Sequence, residues 1–163
     1  PELPSVVFKS PRPLFFLEIY LVECNIFYIF VKKYIMKPFG YSYLLDMYGC
    51  RKGSADDLEL VYRFLEKLVD NIGMTRMSQP VVMHGPTDKN GIELYPDKAG
   101  ISGWVPLIES GIQIHTLEPT RFITLDVYSC NKFDQNIVLE FAKKNFEFTS
   151  YKEHYIERGV GFQ

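Results

Sequence analysis

The sequence predicts an α+β fold: a two-layer sandwich in which a largely antiparallel sheet carries two main helices on one face. Three observations lead there. Strand-like segments outnumber helical ones. Only two stretches, after Ser54 and after Asp134, repeat apolar residues at helical spacing. The elements also run strand, helix, strand, long loop, hairpin, strand, helix, strand, which favours helices grouped on one side of a sheet.

Each element has its local reason. Tyr41 to Tyr48 is rich in Tyr, Leu and Met and ends at Gly49, as a strand does. Arg51 to Gly53 reads as a turn. Ser54-Ala55-Asp56-Asp57 resembles a capping box with Asp in place of the usual Glu. Leu58, Val61, Tyr62, Leu65, Leu68, Val69 and Ile72 then form one apolar stripe, and Gly73 stops it. Residues 75–83 read as a second strand. His84 to Lys98, punctuated by Pro and Gly, reads as a long loop. Ile101 to Ile108 and Ile112 to Leu117 are strands joined tightly through Glu109-Ser110-Gly111. Arg121 to Ser129 is the clearest strand: Ile123, Leu125 and Val127 point one way, while Thr124, Asp126, Tyr128 and Cys130 point the other. Asp134 is placed to cap a second helix with Ile137, Val138, Phe141 and Ala142 inward. Residues 146–156 form a last strand. The sheet face away from the helices is left with a mixed polar and aromatic surface. It reads as a site, a dimer interface, or both.

Composition narrows the function. The chain has 163 residues, 47% hydrophobic and 23% charged, which suits one globular domain with a real core. A net charge of -2 with no basic run argues against a nucleic-acid partner. Cys24, Cys50 and Cys130 form no CxxC pair, and His84, His115 and His154 are dispersed, so no metal site is expected. An odd cysteine count suggests free thiols in a reducing cytoplasm. Residues 14–35 are strongly apolar and aromatic. A membrane helix is one reading, but Glu18, Glu23 and Asn25 are costly in hydrocarbon. A signal peptide is a second, but the basic start and small-residue cleavage site are missing. The preferred reading takes 1–35 as an extension outside the domain, which then covers 36–163, with Met36 as the start and no membrane partner.

The informative stretch is Ile101 to His115, ISGWVPLIESGIQIH. Alone it is a hairpin with a common kind of turn. The adjoining run HTLEPTRFITLDVYSC, over 115–130, gives it meaning. Ser102 stands eight residues before Ser110, His115 five after it, and Cys130 fifteen after His115. This pattern resembles the prokaryotic S-adenosylmethionine decarboxylase family, whose members carry Ser-Gly, a Glu-Ser cleavage pair, Ile-His-Thr and an Asp-x-aromatic-(Ser/Thr)-Cys strand at these intervals. Leu44-Leu-Asp-Met-Tyr-Gly-Cys50 resembles the family's first strand, and Glu157-Arg-Gly159 its end.

The resemblance implies a self-processing enzyme. The chain would break between Glu109 and Ser110 by an N→O acyl shift and elimination, and Ser110 would become a pyruvoyl group. That ketone, the only cofactor implied, would form a Schiff base with the substrate amine and take up electrons as CO2 leaves. His115 matches the processing histidine, which removes the serine's α-proton. Ser102 matches a second processing position, and Cys130 the catalytic acid that reprotonates the product. Read without the resemblance, His115 is a strand histidine, Ser102 a strand-start serine and Cys130 a small hydrophobe, although Cys130 shares its face with Asp126 and Tyr128.

Two positions depart from the pattern. The family usually has His after the cleaved serine, where this chain has Gly111, and the loop before Ser102 is longer than usual. Tyr95 is the nearest aromatic there to stack on adenine. The expected reaction is decarboxylation of S-adenosylmethionine for spermidine and other polyamines, by a cytoplasmic homodimer or higher homo-oligomer acting on a small molecule. The alternatives are a pyruvoyl enzyme acting on ornithine, lysine or arginine, and an unprocessed relative that only binds a ligand.

Overall fold

A computed structural model describes residues 37–90 and 92–162. The expected extension over 1–35, and Cys24 within it, lie outside the described residues. In chain order the elements are β1 (Gly40–Tyr48), α1 (Leu58–Asn71), β2 (Val81–His84), β3 (Ile101–Leu107), β4 (Ser110–Leu117), β5 (Phe122–Ser129), α2 (Gln135–Phe146) and β6 (Ser150–Arg158). The strands form one sheet in the order β2-β3-β4-β5-β1-β6. Every pairing among them is antiparallel.

The alternation expected for β5 holds. Ile123, Leu125 and Val127 are fully buried, and they face the helices together with Tyr43, Leu45 and Met47 of β1 and Ile112 and Ile114 of β4. From the other layer come Val61, Phe64, Leu65, Leu68 and Val69 of α1, and Val138, Ala142 and Phe146 of α2. Gly103 in β3 is where the layers meet most closely. A Cβ there would lie 2.9 Å from both Leu65 Cδ1 and Ile114 Cγ2, so its lack of a side chain lets α1 settle onto the sheet. The opposite face of the sheet is covered by no element among the described residues.

Several boundaries differ from expectation, each for a local reason. Asp57, not Ser54, caps α1: its Oδ1 accepts from the Leu60 N–H at 2.9 Å, while the Ser54 hydroxyl donates to the Arg51 carbonyl and is spent on the turn. Of the expected second strand over 75–83 only the last three residues are regular, and the strand, Val81–His84, takes in His84, the expected first residue of the loop. Arg76 makes an isolated bridge to Leu107, and Pro80, with no N–H to give, precedes the strand. In α2 the inward line is Val138, Ala142 and Phe146, spaced four apart. Ile137 falls off that line and is exposed, and Phe141 is only partly buried. Because Phe146 completes α2 and Glu147 turns left-handed after it, β6 starts at Ser150 rather than 146.

Phe64 joins the two helices. Its ring centroid lies 5.3 Å from that of Phe141 and 4.7 Å from that of Phe146, and the side chain is buried. Phe64→Ala is expected to cost about 3–5 kcal/mol, close to the whole stability of a small domain. A fall in the urea midpoint with unchanged slope would be the readout.

Candidate active site

The hairpin between β3 and β4 turns on two residues, Ile108 and Glu109, because Leu107 pairs with Ser110. Two-residue hairpin loops usually place their positive φ on loop residues. Neither Ile108 nor Glu109 has one; it falls on Ser110, at φ 147°. That region of backbone space belongs almost to glycine alone, and a serine held there stores strain. The surroundings hold it in place. The Ile108 N–H donates to the Thr75 carbonyl at 3.0 Å, and the Thr75 N–H donates to Glu109 Oε2 at 3.1 Å. From the other side, the Cys130 N–H donates to the Glu109 carbonyl at 2.9 Å. Thus the peptide joining Glu109 to Ser110 has a strained residue after it and a hydrogen-bond donor on its oxygen.

Cys130 follows β5, whose Ser129 pairs with Ser110, and it is exposed. Cys50 is the opposite case: burial pushes its thiol up to about 11, so it stays protonated and inert at neutral pH. Among the described residues no group of three metal-ligating side chains lies together.

Ser102 and His115 face each other across β3 and β4 on the bare face, with Ser102 Oγ 2.9 Å from His115 Nδ1. That contact orients the imidazole, whose tautomer decides which atom donates. The structure does not bring this pair to Ser110 of the same chain. Ser110 and His115 lie at opposite ends of β4, and five residues at about 3.3 Å each put them about 16 Å apart. The sheet thus carries two groups: Glu109, Ser110 and Cys130 at one end, Ser102 and His115 at the other. Tyr95 lies in the loop from β2 to β3, which leaves the sheet at the Ser102–His115 end. It is exposed, with Lys98 Nζ 5.9 Å from its ring centroid, and is not in the cleft beside Ser110.

That cleft, of about 290 Å³, is lined by Trp104, Ser110, Gly111, Ile112, Gln113, Asp126 and Tyr128. Sequence reading did not single out Trp104, Gln113, Asp126 or Tyr128 as site residues. The signal was available, since each is an outward position in a strand whose alternation is plain. Asp126 is exposed by surface area, yet its carboxyl is partly enclosed by the cleft wall. That partial burial, and then the charge of Asp46, hold its pKa above the ordinary carboxylate range. The stability associated with a raised acid is complete at low pH, where folded and unfolded states are both protonated, and is lost as pH rises through the folded value. Asp126→Asn should therefore raise the melting temperature at neutral pH, modestly because water reaches the group. The gain should shrink toward zero on acidification, as melting curves across pH will record.

A six-stranded antiparallel sheet backed by two helices, with Ser, His and Cys side chains at the ends of its bare face, makes this a small α+β protein that carries nucleophilic and acid–base groups on one surface. The family model described as S-adenosylmethionine decarboxylase matches residues 41–159, and the chain belongs to that family. It is 27% identical over 125 residues to an S-adenosylmethionine decarboxylase proenzyme of Clostridium botulinum (strain Loch Maree / Type A3), covering 76% of this chain and 97% of that protein. It is 29% identical over 125 residues to a protein of the same name from Persephonella marina, covering 76% and 85%. The fold is similar to the crystal structure of the adenosylmethionine decarboxylase from Aquifex aeolicus VF5, with a TM-score of 0.59 at 24% identity, covering 76% of this chain and 93% of that one.

Proposed function

We propose that this chain cuts itself between Glu109 and Ser110, that Ser110 becomes a pyruvoyl group, and that the processed enzyme decarboxylates S-adenosylmethionine to supply spermidine synthesis. The observation that carries this reading is the Cys130 N–H on the Glu109 carbonyl, 2.9 Å away, next to a serine at φ 147°. The Ser110 hydroxyl oxygen attacks the Glu109 carbonyl carbon. A C–O bond forms, the C–N bond breaks, and the hydroxyl proton ends on the released nitrogen. The Cys130 N–H meets the negative charge that builds on the carbonyl oxygen. Strain at Ser110 is relieved as the peptide becomes an ester. A base then takes the Ser110 α-proton, the Cβ–O bond breaks, and Glu109 leaves as a carboxylate. Water adds to the dehydroalanine left behind and ammonia departs. When formed, the pyruvoyl carbonyl supplies the sink for the electron pair released with CO2. The residues around it suit that role: Cys130 offers a thiol proton beside the β5 end, and the cleft is open to a small-molecule substrate.

The base is His115 of the partner subunit. Within one chain His115 is about 16 Å from Ser110, too far for proton transfer. A two-fold pairing of bare faces brings the Ser102–His115 end of one protomer onto the Glu109–Ser110 end of the other, and repeats the match at the second site. The same pairing covers the uncovered sheet face and carries the Tyr95 loop toward the partner's cleft. The reading is of a cytoplasmic homodimer, with Cys50 and Cys130 as free thiols. No helix among the described residues is long and apolar enough to cross a membrane. In this reading residues 36–163 suffice for activity and 1–35 are dispensable.

Intact mass tests the proposal. Purified protein should appear as two pieces, one ending at Glu109, the other beginning at Ser110 and resistant to Edman sequencing because a pyruvoyl group has no amine. Product analysis should find S-adenosylmethionine decarboxylated in preference to ornithine, lysine and arginine. One intact chain after long incubation, with no reactive carbonyl, would overturn the reading in favour of a ligand-binding relative.

A further inference from the structure

We infer that Trp104 is a specificity-determining residue of the substrate cleft, its indole filling the room that glycine at 111 leaves beside the reacting serine. The inference rests on the proposed function, in which S-adenosylmethionine reacts at Ser110. Trp104 stands on the outward side of β3, directly across from Gln113. Its indole forms one wall of the 290 Å³ cleft that also holds Ser110, Asp126 and Tyr128.

Gly111 explains how the indole fits there. Gly111 is not among the residues with positive φ, so its backbone makes no demand for glycine. Space does make one. A Cβ at 111 would lie 3.1 Å from Trp104 Nε1 and 3.4 Å from the Val105 carbonyl oxygen. A side chain growing from that Cβ and the indole would compete for one volume. The pair therefore works as a unit: bulk next to the reacting serine is supplied from β3, across the strand, and not from the residue after the serine.

The chemistry of this wall decides what it would contact. Trp104 is half exposed and lines the cleft, so its indole is open to a ligand there. An aromatic face attracts a cation flanked by carbon, and the Asp126 carboxylate across the same cleft adds to that preference. S-adenosylmethionine carries its sulfonium a few bonds from the amine that reacts at residue 110. The assigned contact is that sulfonium, held between the Trp104 ring and Asp126.

Trp104 is the single tryptophan of the chain, so its emission reports on the cleft directly. The first arm uses the full-length Ser110→Ala chain. Calorimetry measures binding of S-adenosylmethionine and of its neutral thioether relative, S-adenosylhomocysteine, while fluorescence follows Trp104. Binding heat should be matched by a saturable change in emission, and the sulfonium ligand should bind more tightly. The second arm uses processed enzyme. Trp104→Ala should raise KM about tenfold, with kcat and the rate of self-cleavage little changed. Gly111→Val should raise KM similarly by displacing the indole, and adding it to Trp104→Ala should cost little more. Binding heat without a change in emission, together with an unchanged KM in Trp104→Ala, would overturn the assignment while leaving the proposed function standing. A Trp104→Ala enzyme with unchanged KM and an altered oligomer size would also overturn it, by making Trp104 a subunit contact. Absence of binding heat in Ser110→Ala and of turnover in the wild type would remove the proposed function itself, and this inference with it.

Discussion

A His115→Ala chain, slow to process alone, should process when paired with a Ser110→Ala chain that cannot process at all. Ser110→Ala should remain a single chain, because no hydroxyl is left to attack the Glu109 carbonyl. His115→Ala should be cut about 10²- to 10⁴-fold more slowly, the usual worth of a positioned base, with a hydroxylamine-sensitive ester accumulating. The separation along β4 then makes a sharper demand. In a mixed dimer paired as proposed, the His115→Ala chain keeps its own Ser110 and would meet the intact His115 of the partner subunit. That chain should be cut, and the Ser110→Ala chain beside it should not. Tagging the two chains differently and co-expressing them lets intact mass read each fate. Mixed dimers that form yet leave the His115→Ala chain uncut would mean that the histidine acts within its own chain or not at all.

Most of the fold was legible in the sequence because its strands have one dry and one wet side. The alternation in β5 is clean, so Ile123, Leu125 and Val127 could be assigned to the core without knowing what lay across from them. What the chain did not announce were boundaries set by tertiary choices. Ser54 and Asp57 are both good caps, and the choice between them depended on the Ser54 hydroxyl closing the preceding turn onto Arg51. Ile137 and Val138 are both apolar, and only the phase of α2 against Phe64 decides which is buried. Strand order was out of reach, since the two chain-distant neighbours of β1, namely β5 and β6, are chosen by pairing and not by local pattern.

The site was legible in a different way. Glu109, Ser110, Ser102, His115 and Cys130 were identified by spacing that resembles a family, and spacing has no distances in it. That spacing left their placement open, and the structure divides them between two ends of a sheet. Nor could a sequence give Ser110 its φ of 147°, which falls on the residue after a two-residue loop whose own residues have no positive φ. Trp104 was overlooked for a plainer reason. It shares outward parity with Ser102 in β3, but no motif points to it, and its importance appears only when the absent side chain of Gly111 is considered beside it.

The proposed mechanism gives Cys130 two roles that one substitution should separate. Its backbone N–H donates to the Glu109 carbonyl, and its thiol stands exposed beside the end of β5. Cys130→Ala removes the thiol and keeps the N–H. In the proposed mechanism cleavage depends on that N–H, on the Ser110 hydroxyl and on the partner subunit's His115, so it should run at close to the wild-type rate and yield the same two pieces. Turnover needs a proton delivered to the carbon that has lost CO2, and in the proposed mechanism the donor is this thiol, which follows Ser129, the β5 partner of Ser110. Decarboxylation should therefore fall about 100-fold or more. Cys130→Ser, which keeps a hydroxyl of much weaker acidity, should recover little of the loss. Should Cys130→Ala instead cleave normally and decarboxylate at the wild-type rate, the proton must come from another group, and the Asp126 carboxyl in the same cleft becomes the candidate to replace it.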